Sequence, residues 1–187
     1  MIYVTYINSP VGMVQIRASE KGITHVTFID ESGVDESDVD KLSDTFETNA
    51  TIKKCAQQLK EYFYGQRKSF DLPLDWEGTV FQQSIWQSLL DVPFGAVASY
   101  SDIATAVNNP KAVRAVGAAN GKNPIAIIVP CHRIIGSNGT LTGYAGGMDR
   151  KAWLLSHEGA EFKVSPREHP VKQQEMLLVD SLMTYPK

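Results

Sequence analysis

A chain of 187 residues, 43% hydrophobic and 21% charged, has room for one sizeable domain or two small ones sharing an interface. No apolar run approaches the roughly 18 residues of a membrane span, and the opening MIYVTYINSPVG lacks the basic flank and apolar core of a signal peptide. A cytoplasmic protein with no membrane partner is therefore expected, and two cysteines are too few for a disulfide framework. The net charge of −3 argues against a strongly electrostatic partner for nucleic acid, yet residues 91–160 carry six basic against four acidic side chains, a mild excess compatible with DNA.

The first 30 residues alternate apolar and polar positions in IYVTYI, MVQIRA and ITHVTFI, separated by the turn signals Ser9–Gly12 and Glu20–Gly22. This pattern predicts a three-stranded antiparallel meander. The acidic stretch 30–44 reads as a solvated loop with no assigned role. In TIKKCAQQLKEYFY, residues 51–64, Ile52, Cys55, Leu59 and Phe63 recur at helical spacing before Gly65, which places Cys55 on the apolar stripe as a buried, inert thiol.

Composition shifts near Thr79. TVFQQSIWQSLLD predicts a helix with Phe81, Ile85 and Leu89 on one face, broken by Pro93-Phe94-Gly95. Ser99 with Asp102 three residues on forms a capping box for a short helix, Tyr100–Val107. Asn109-Pro110 is read as opening a second one, from Lys111 to about Asn120 and ending at Gly121. Two short helices joined by a tight turn make a helix-turn-helix pattern. The second is rich in small residues (Ala112, Ala115, Gly117, Ala118 and Ala119) and carries one long cation, Arg114. Such a helix suits close packing on its neighbours or close approach to a DNA groove.

Ile125–Val129 reads as an apolar strand leading into Pro130-Cys131-His132-Arg133. A glycine-rich hairpin, GSNGTLTGYAGG, then precedes a last helix, Asp149–Glu158, stopped by Gly159. A loop cysteine presented by a buried scaffold is a candidate nucleophile, since a nearby base or cation can promote its thiolate. His132 is adjacent, but adjacency alone does not make the side chains meet. Glu158 stands in a last helical turn, where the macrodipole disfavours an anion, so it is either solvated or held there to orient another group. Neither cysteine lies in a CxxC or HxxxH pattern, so no metal site is expected.

The run Phe81–Gly159 resembles the O6-alkylguanine-DNA alkyltransferases, or methylated-DNA–protein-cysteine methyltransferases, in their bacterial form. The stretches that carry the resemblance are FQQSIWQSLLDVPFGAVASY, NPKAVRAVGAANGKNPIAIIVPCHRIIGSNG and LTGYAGGMDRKAWLLSHEG, with PCHR the most specific core. The resemblance implies an α+β protein: a small N-terminal antiparallel-sheet domain over residues 1–75, and a mainly helical domain over 76–164 with the helix-turn-helix and the cysteine loop. Residues 165–187 would be a tail of unknown role.

The family's reaction would be irreversible, stoichiometric transfer of the alkyl group from O6-alkylguanine, with O4-alkylthymine a further candidate substrate, in double-stranded DNA to Cys131, by a monomer with no cofactor. By the same resemblance His132 and Glu158 draw away the thiol proton through a bound water. Asn123 links the recognition helix to the active-site loop, and Tyr100 helps swing the nucleotide out and bonds the base at N3. Arg114 enters the stack, with Ala112, Val113, Ala115 and Gly117 beside it on a helix that would enter the minor groove. Tyr144, Ala145 and Ile134 would line the pocket. The animal proteins have serine where this chain has Ala145, and their structural zinc ligands have no counterpart here. Two other readings stay open. One is a non-catalytic sensor of alkylated DNA, a type in which the acceptor cysteine is replaced; the other is a thiol hydrolase or redox enzyme built on Cys131 and His132.

Overall fold

The computed structural model describes residues 1–29 and 49–164; the acidic stretch 30–44 and the tail 165–187 lie outside the described residues. Three strands, β1 (Tyr3–Ser9), β2 (Gly12–Ala18) and β3 (Ile23–Ile29), form an antiparallel sheet in the order β1-β2-β3. Alternation turns Val14, Ile16 and Val26 inward, and a register shift of β2 against β3 at Arg17–Ala18 brings Ile23 to the same face. Helix α1 (Ala50–Phe63) covers this face. Asn49 caps it by accepting from Ile52 N–H at 2.9 Å, and Gly65, at φ +71°, ends it. Ile52, Cys55, Leu59 and Phe63 are all buried, and each large apolar side chain among them contributes on the order of 1.5–3 kcal/mol.

The second half begins with α2 (Val80–Leu89), whose N-cap Thr79 forms a reciprocal capping box with Gln82. The expected box of Ser99 and Asp102 is also present and starts α3 (Tyr100–Ala106). Helix α4 (Val113–Gly121) packs against both α2 and α3. It begins two residues later than the Pro110 signal implies. Ala112 N–H closes a turn on Asn109 C=O at 2.9 Å, so Pro110 and Lys111 lie in that turn, and the N-cap is Ala112, with no side-chain acceptor. Strand β4 (Ala98–Ser99) pairs in parallel with β5 (Ile134–Ile135), and α5 (Met148–His157) closes the domain.

The strand expected over residues 125–129 is a correction. Only Ile125 bridges a neighbour, Val26 of β3, after which the chain coils: Ile128 N–H donates to Ala126 C=O, Val129 N–H to Ile125 C=O, and Ile127 sits at φ +71°. Ile125, Ile127 and Val129 are essentially fully buried, so the apolar run reports burial on all sides and not extension. The glycine-rich segment is likewise not one hairpin. Gly136 and Thr140 close a tight turn, and the chain beyond it pairs with Lys163 instead of folding back on itself.

One apolar core runs through both halves, from Ile7 and Ile16 to Trp86, Val116 and Leu154. The outer edge of β3 joins them by hydrogen bonds. Ile23 exchanges bonds with Pro73 and Asp75, and Val26 with Pro124 and Ala126, so the segment that leads to Cys131 is anchored on the N-terminal sheet.

Candidate active site

Cys131, His132 and Arg133 form a single 3-10 turn between the coiled 125–129 segment and β5, and all three are buried. Two asparagines from the end of α4 fix this turn. Asn120 Nδ2 donates to Cys131 C=O at 3.3 Å. Asn123 Nδ2 donates to Val129 C=O at 2.8 Å and lies 3.0 Å from Cys131 Sγ, while its Oδ1 accepts from Ile125 N–H. Asn123 therefore bridges the end of α4 and the cysteine turn. Asn120 was not anticipated, because a helical asparagine carries no signal of its aim.

Burial pushes the Cys131 thiol up, against the opposing pull of the Asn123 donor and the Lys151 charge. It therefore rests as a thiol and needs a base. His132 can be that base. Burial holds its imidazolium form down, in spite of Glu158, so the resting ring is neutral. Its Nε2 lies 2.7 Å from Glu158 Oε1. Although burial alone would raise it, hydrogen bonds from His132 and Arg133 hold the Glu158 carboxyl far below the usual range. A carboxylate only accepts, so Nε2 carries the proton and Nδ1 holds the lone pair. Nδ1 is buried and has no hydrogen-bond partner among the described residues.

Glu158 is not the solvated residue that its helix position allows. It is the C-cap of α5, and its side chain is fully buried among donors. Arg133 grips both oxygens, Nε to Oε2 at 2.8 Å and Nη2 to Oε1 at 3.1 Å, so the cation next to Cys131 in sequence turns away from the sulfur. Gly95 N–H donates to Oε2 at 3.2 Å. Gly95 is at φ +78°, and a Cβ there would stand 2.9 Å from Glu158 C=O, so glycine is required twice over. Tyr62, from α1, donates to Oε1 at 2.7 Å. Its position on an apolar helical stripe reads as core, and nothing in that spacing marks the hydroxyl.

Lys151 is a second residue that sequence reading missed. It is fully buried, and its Nζ donates to Ile134 C=O and to Thr142 C=O, the latter at 2.8 Å. Burial lowers its pKa to about 8, and a charge on Cys131 acts in the opposite direction. Its ammonium favours a thiolate at Cys131. Tyr144 has a buried hydroxyl without a partner of good hydrogen-bond geometry, yet close enough to Cys131 for the two ionisations to oppose each other. Ala145 is exposed beside it, and Ile134 is fully buried beneath. The pocket loop rests on the N-terminal sheet: Arg150 donates to Val11 C=O at 2.8 Å and to Gly146 C=O at 3.1 Å, and lies over the Phe28 ring. The Tyr100 hydroxyl accepts from Thr142 Oγ1 at 3.0 Å, which leaves its own proton free to donate.

Helix α4 presents Val113, Arg114, Ala115 and Ala118 to solvent and buries Val116, Ala119 and Asn120. Its small residues thus serve both purposes. Ala119 is in the core and Gly117 faces the Tyr100 ring, whereas Ala115 and Ala118 leave Arg114 standing above a low surface; Ala112 is partly buried at the start. Cys55 is buried with its thiol pushed up to about 12, as fits an inert core residue. Among the described residues no cluster of histidine, cysteine, aspartate or glutamate could hold a metal ion, and no helix is long and apolar enough to cross a membrane.

A sheet domain joined to a helix-turn-helix domain, with a buried cysteine backed by histidine and glutamate, defines a DNA-directed thiol alkyl acceptor as the class. Residues 2–76 match the family described as 6-O-methylguanine DNA methyltransferase, ribonuclease-like domain, and residues 80–160 match its DNA binding domain. The chain belongs to the 6-O-methylguanine DNA methyltransferase family. It is 46% identical over 164 residues to the constitutive methylated-DNA–protein-cysteine methyltransferase of Bacillus subtilis, covering 87% of this chain and 99% of that one. It is 44% identical to the Methanosarcina barkeri protein of the same description, over 84% of this chain and 97% of that one. The Mycobacterium tuberculosis O6-methylguanine methyltransferase superposes with a TM-score of 0.72 at 41% identity, covering 85% of this chain and 93% of that one. A Mycobacterium tuberculosis OGT in complex with DNA gives 0.71 at 40%, over 83% and 92%.

The Glu158 network makes a direct prediction about stability. Glu158→Gln leaves the buried Arg133 without its counter-charge and should cost roughly 3–5 kcal/mol in denaturant unfolding. The folded-state pKa of Glu158 is depressed, so its contribution is fully present above the unfolded carboxylate value and is lost as pH falls toward the folded one. Stability of the parent should therefore drop below about pH 4.5, and the variant should lose that part of the slope.

Proposed function

We propose that this chain performs direct-reversal DNA repair, taking the alkyl group of O6-alkylguanine onto Cys131 in an irreversible, single-use transfer. DNA is its partner, and the chain is a methylated-DNA–protein-cysteine methyltransferase. The observation that carries the reading is a buried Cys131 in one turn with His132, whose Nε2 lies 2.7 Å from Glu158 Oε1 and whose Nδ1 has no partner among the described residues. A non-catalytic sensor has no use for this proton relay, and its relatives replace the cysteine that is present here. A multi-turnover hydrolase has no use for a helix that holds Arg114 out to solvent.

An alkyl group on guanine O6 is out of reach within a stacked duplex, so the nucleotide must leave the stack at a cost of a few kcal/mol. Arg114 on α4 fills the gap and keeps its charge near the phosphates, and the small residues Ala115 and Ala118 let the helix sit in a narrow groove. With the base in the pocket, the Cys131 proton passes through one water to His132 Nδ1, and Glu158 stabilises the imidazolium. The sulfur forms a bond to the alkyl carbon as the carbon–O6 bond breaks, and that electron pair stays on the guanine. Tyr100 donates toward N3 to offset the charge, the Ala145 N–H faces O6, and the departing base takes up a proton that balances the one lost by the thiol. The product thioether is neutral and stable, so each molecule acts once.

Thiol and alkyl group are the only reactants, so the chemistry calls for no cofactor, and one chain supplies every group, which supports action as a monomer. Residues 76–164 would be the catalytic and DNA-binding domain and 1–75 its support. A reagent thiol also suits the reducing cytoplasm.

Incubation with duplex DNA containing O6-methylguanine, followed by mass measurement, should reveal one added methyl group on the peptide containing Cys131, ending at one equivalent. Tight binding with unchanged mass would sink the repair reading in favour of the sensor. Arg114→Ala should slow repair in duplex DNA about tenfold or more and leave reaction with free O6-benzylguanine unaltered; equal losses on both substrates would remove Arg114 from the flipping step. Lys151→Met should shift the acid limb of the transfer rate to higher pH, because His132 loses a neighbouring cation that holds its imidazolium form down.

A further inference from the structure

Tyr62 lies 96 residues from Glu158 in sequence and on a helix of the N-terminal half, yet its hydroxyl enters the active-site network and donates to Oε1 at 2.7 Å. The ring is fully buried. Burial, and then the Glu158 charge, push its ionisation well above the ordinary tyrosine range, so it remains a donor throughout the working pH range. It is not needed to hold the carboxylate still. Arg133 already takes both oxygens, Gly95 takes Oε2, and Arg133 is itself anchored by donation to Val92 C=O at 2.6 Å.

What Tyr62 does is crowd one oxygen. Oε1 accepts from His132 Nε2 at 2.7 Å, from Tyr62 at 2.7 Å and from Arg133 Nη2 at 3.1 Å. Three donors share the charge of that atom, and each receives less of it than it would alone. His132 is the donor for which this matters, because its charge changes during the reaction. While the ring is neutral, Oε1 has charge to spare and the Tyr62 bond is strong. Once the ring is an imidazolium, His132 draws that charge to itself and the Tyr62 bond weakens. The hydroxyl thus stabilises the resting thiol–imidazole pair more than the thiolate–imidazolium pair.

We infer that Tyr62 is a positioning residue which, acting through Glu158, tempers the basicity of His132 and so sets the pH at which Cys131 becomes reactive. The inference rests on the reading that His132 is the base for Cys131. Arg133 and Lys151 also bear on His132, and Arg133, Tyr144 and His157 lie around Tyr62, with His157 ring-to-edge against it at 5.2 Å. All of them remain when a single hydroxyl is removed. By this device the N-terminal half restrains the thiol without touching it, and spares it from reaction with soluble electrophiles.

The test is the rate of benzyl transfer from free O6-benzylguanine to the intact chain, followed as the mass of the Cys131 peptide from about pH 5 to about pH 9. Tyr62→Phe should move the acid limb, which reports protonation of the His132 base, to higher pH by roughly half a unit, and raise the plateau rate above it about threefold. Placing 3-fluorotyrosine at position 62 makes the hydroxyl a stronger donor and should move the limb the other way. This second form keeps the ring and its hydrogen bond, so it reads the same property even if the phenylalanine variant folds poorly. A limb that stays put in the fluorinated protein, or that moves to lower pH in a folded Tyr62→Phe, overturns the inference. Absence of any benzyl adduct on Cys131 in the parent protein would instead mean that the repair reading itself has failed.

Discussion

A carboxylate taken out of water must be given back its hydrogen bonds, and the Glu158 side chain recovers them from three separate parts of the chain. Arg133 and His132 come from the cysteine turn, Gly95 from the break after α2, and Tyr62 from α1. Breaking a buried ion pair leaves an uncompensated charge, which is far more costly than losing an exposed one. This gives the arrangement its rigidity: none of the three segments can move independently while Glu158 is ionised. The geometry around the nucleophile is thus a by-product of satisfying one anion.

The same logic explains how a sulfur can be kept protonated and still be ready. Burial opposes the thiolate, while Asn123 and Lys151 are placed to favour it once the proton has somewhere to go. The segment that leads into the Cys131 turn is tightly coiled, with Ile127 at φ +71°, a conformation that a β-branched residue adopts only when its surroundings insist. Those surroundings are the apolar core on one side and the Asn120 and Asn123 bonds on the other. Strain in that segment is matched by packing that holds Cys131 in one place.

Much of this architecture is legible in the chain. The strands announce themselves by alternation, α1 by its apolar stripe with a closing glycine, and α2 and α3 by their starting signals, because each rests on local rules with a short range. The 125–129 segment did not follow from its residues, since an apolar run reports burial without specifying the backbone. The start of α4 slipped by two residues because Asn109 and Pro110 close a turn as readily as they open a helix. Within the site, Cys131 after a buried run and the misplaced-looking Glu158 stand out by position, but PCHR gains its weight only from the family resemblance of the frame around it. Tyr62, Lys151 and Asn120 escaped notice. A tyrosine on an apolar stripe, a lysine on an otherwise ordinary helix and an asparagine near a helix end are each common, and only the tertiary fold reveals that their polar atoms converge.

The outer edge of β3 adds a constraint of a different kind. A sheet strand with unpaired amides and carbonyls is an invitation to pair with another molecule. Here that edge is occupied at Ile23 by residues 73–75 and at Val26 by residues 124–126 of the same chain. Cutting the protein between its halves would therefore do more than remove a support for the pocket. It would bare the part of that edge at Val26 on one fragment and leave the approach to Cys131 unmoored on the other. Self-association of the sheet fragment should then compete with reassembly, so the two halves are best made, and kept, as one chain.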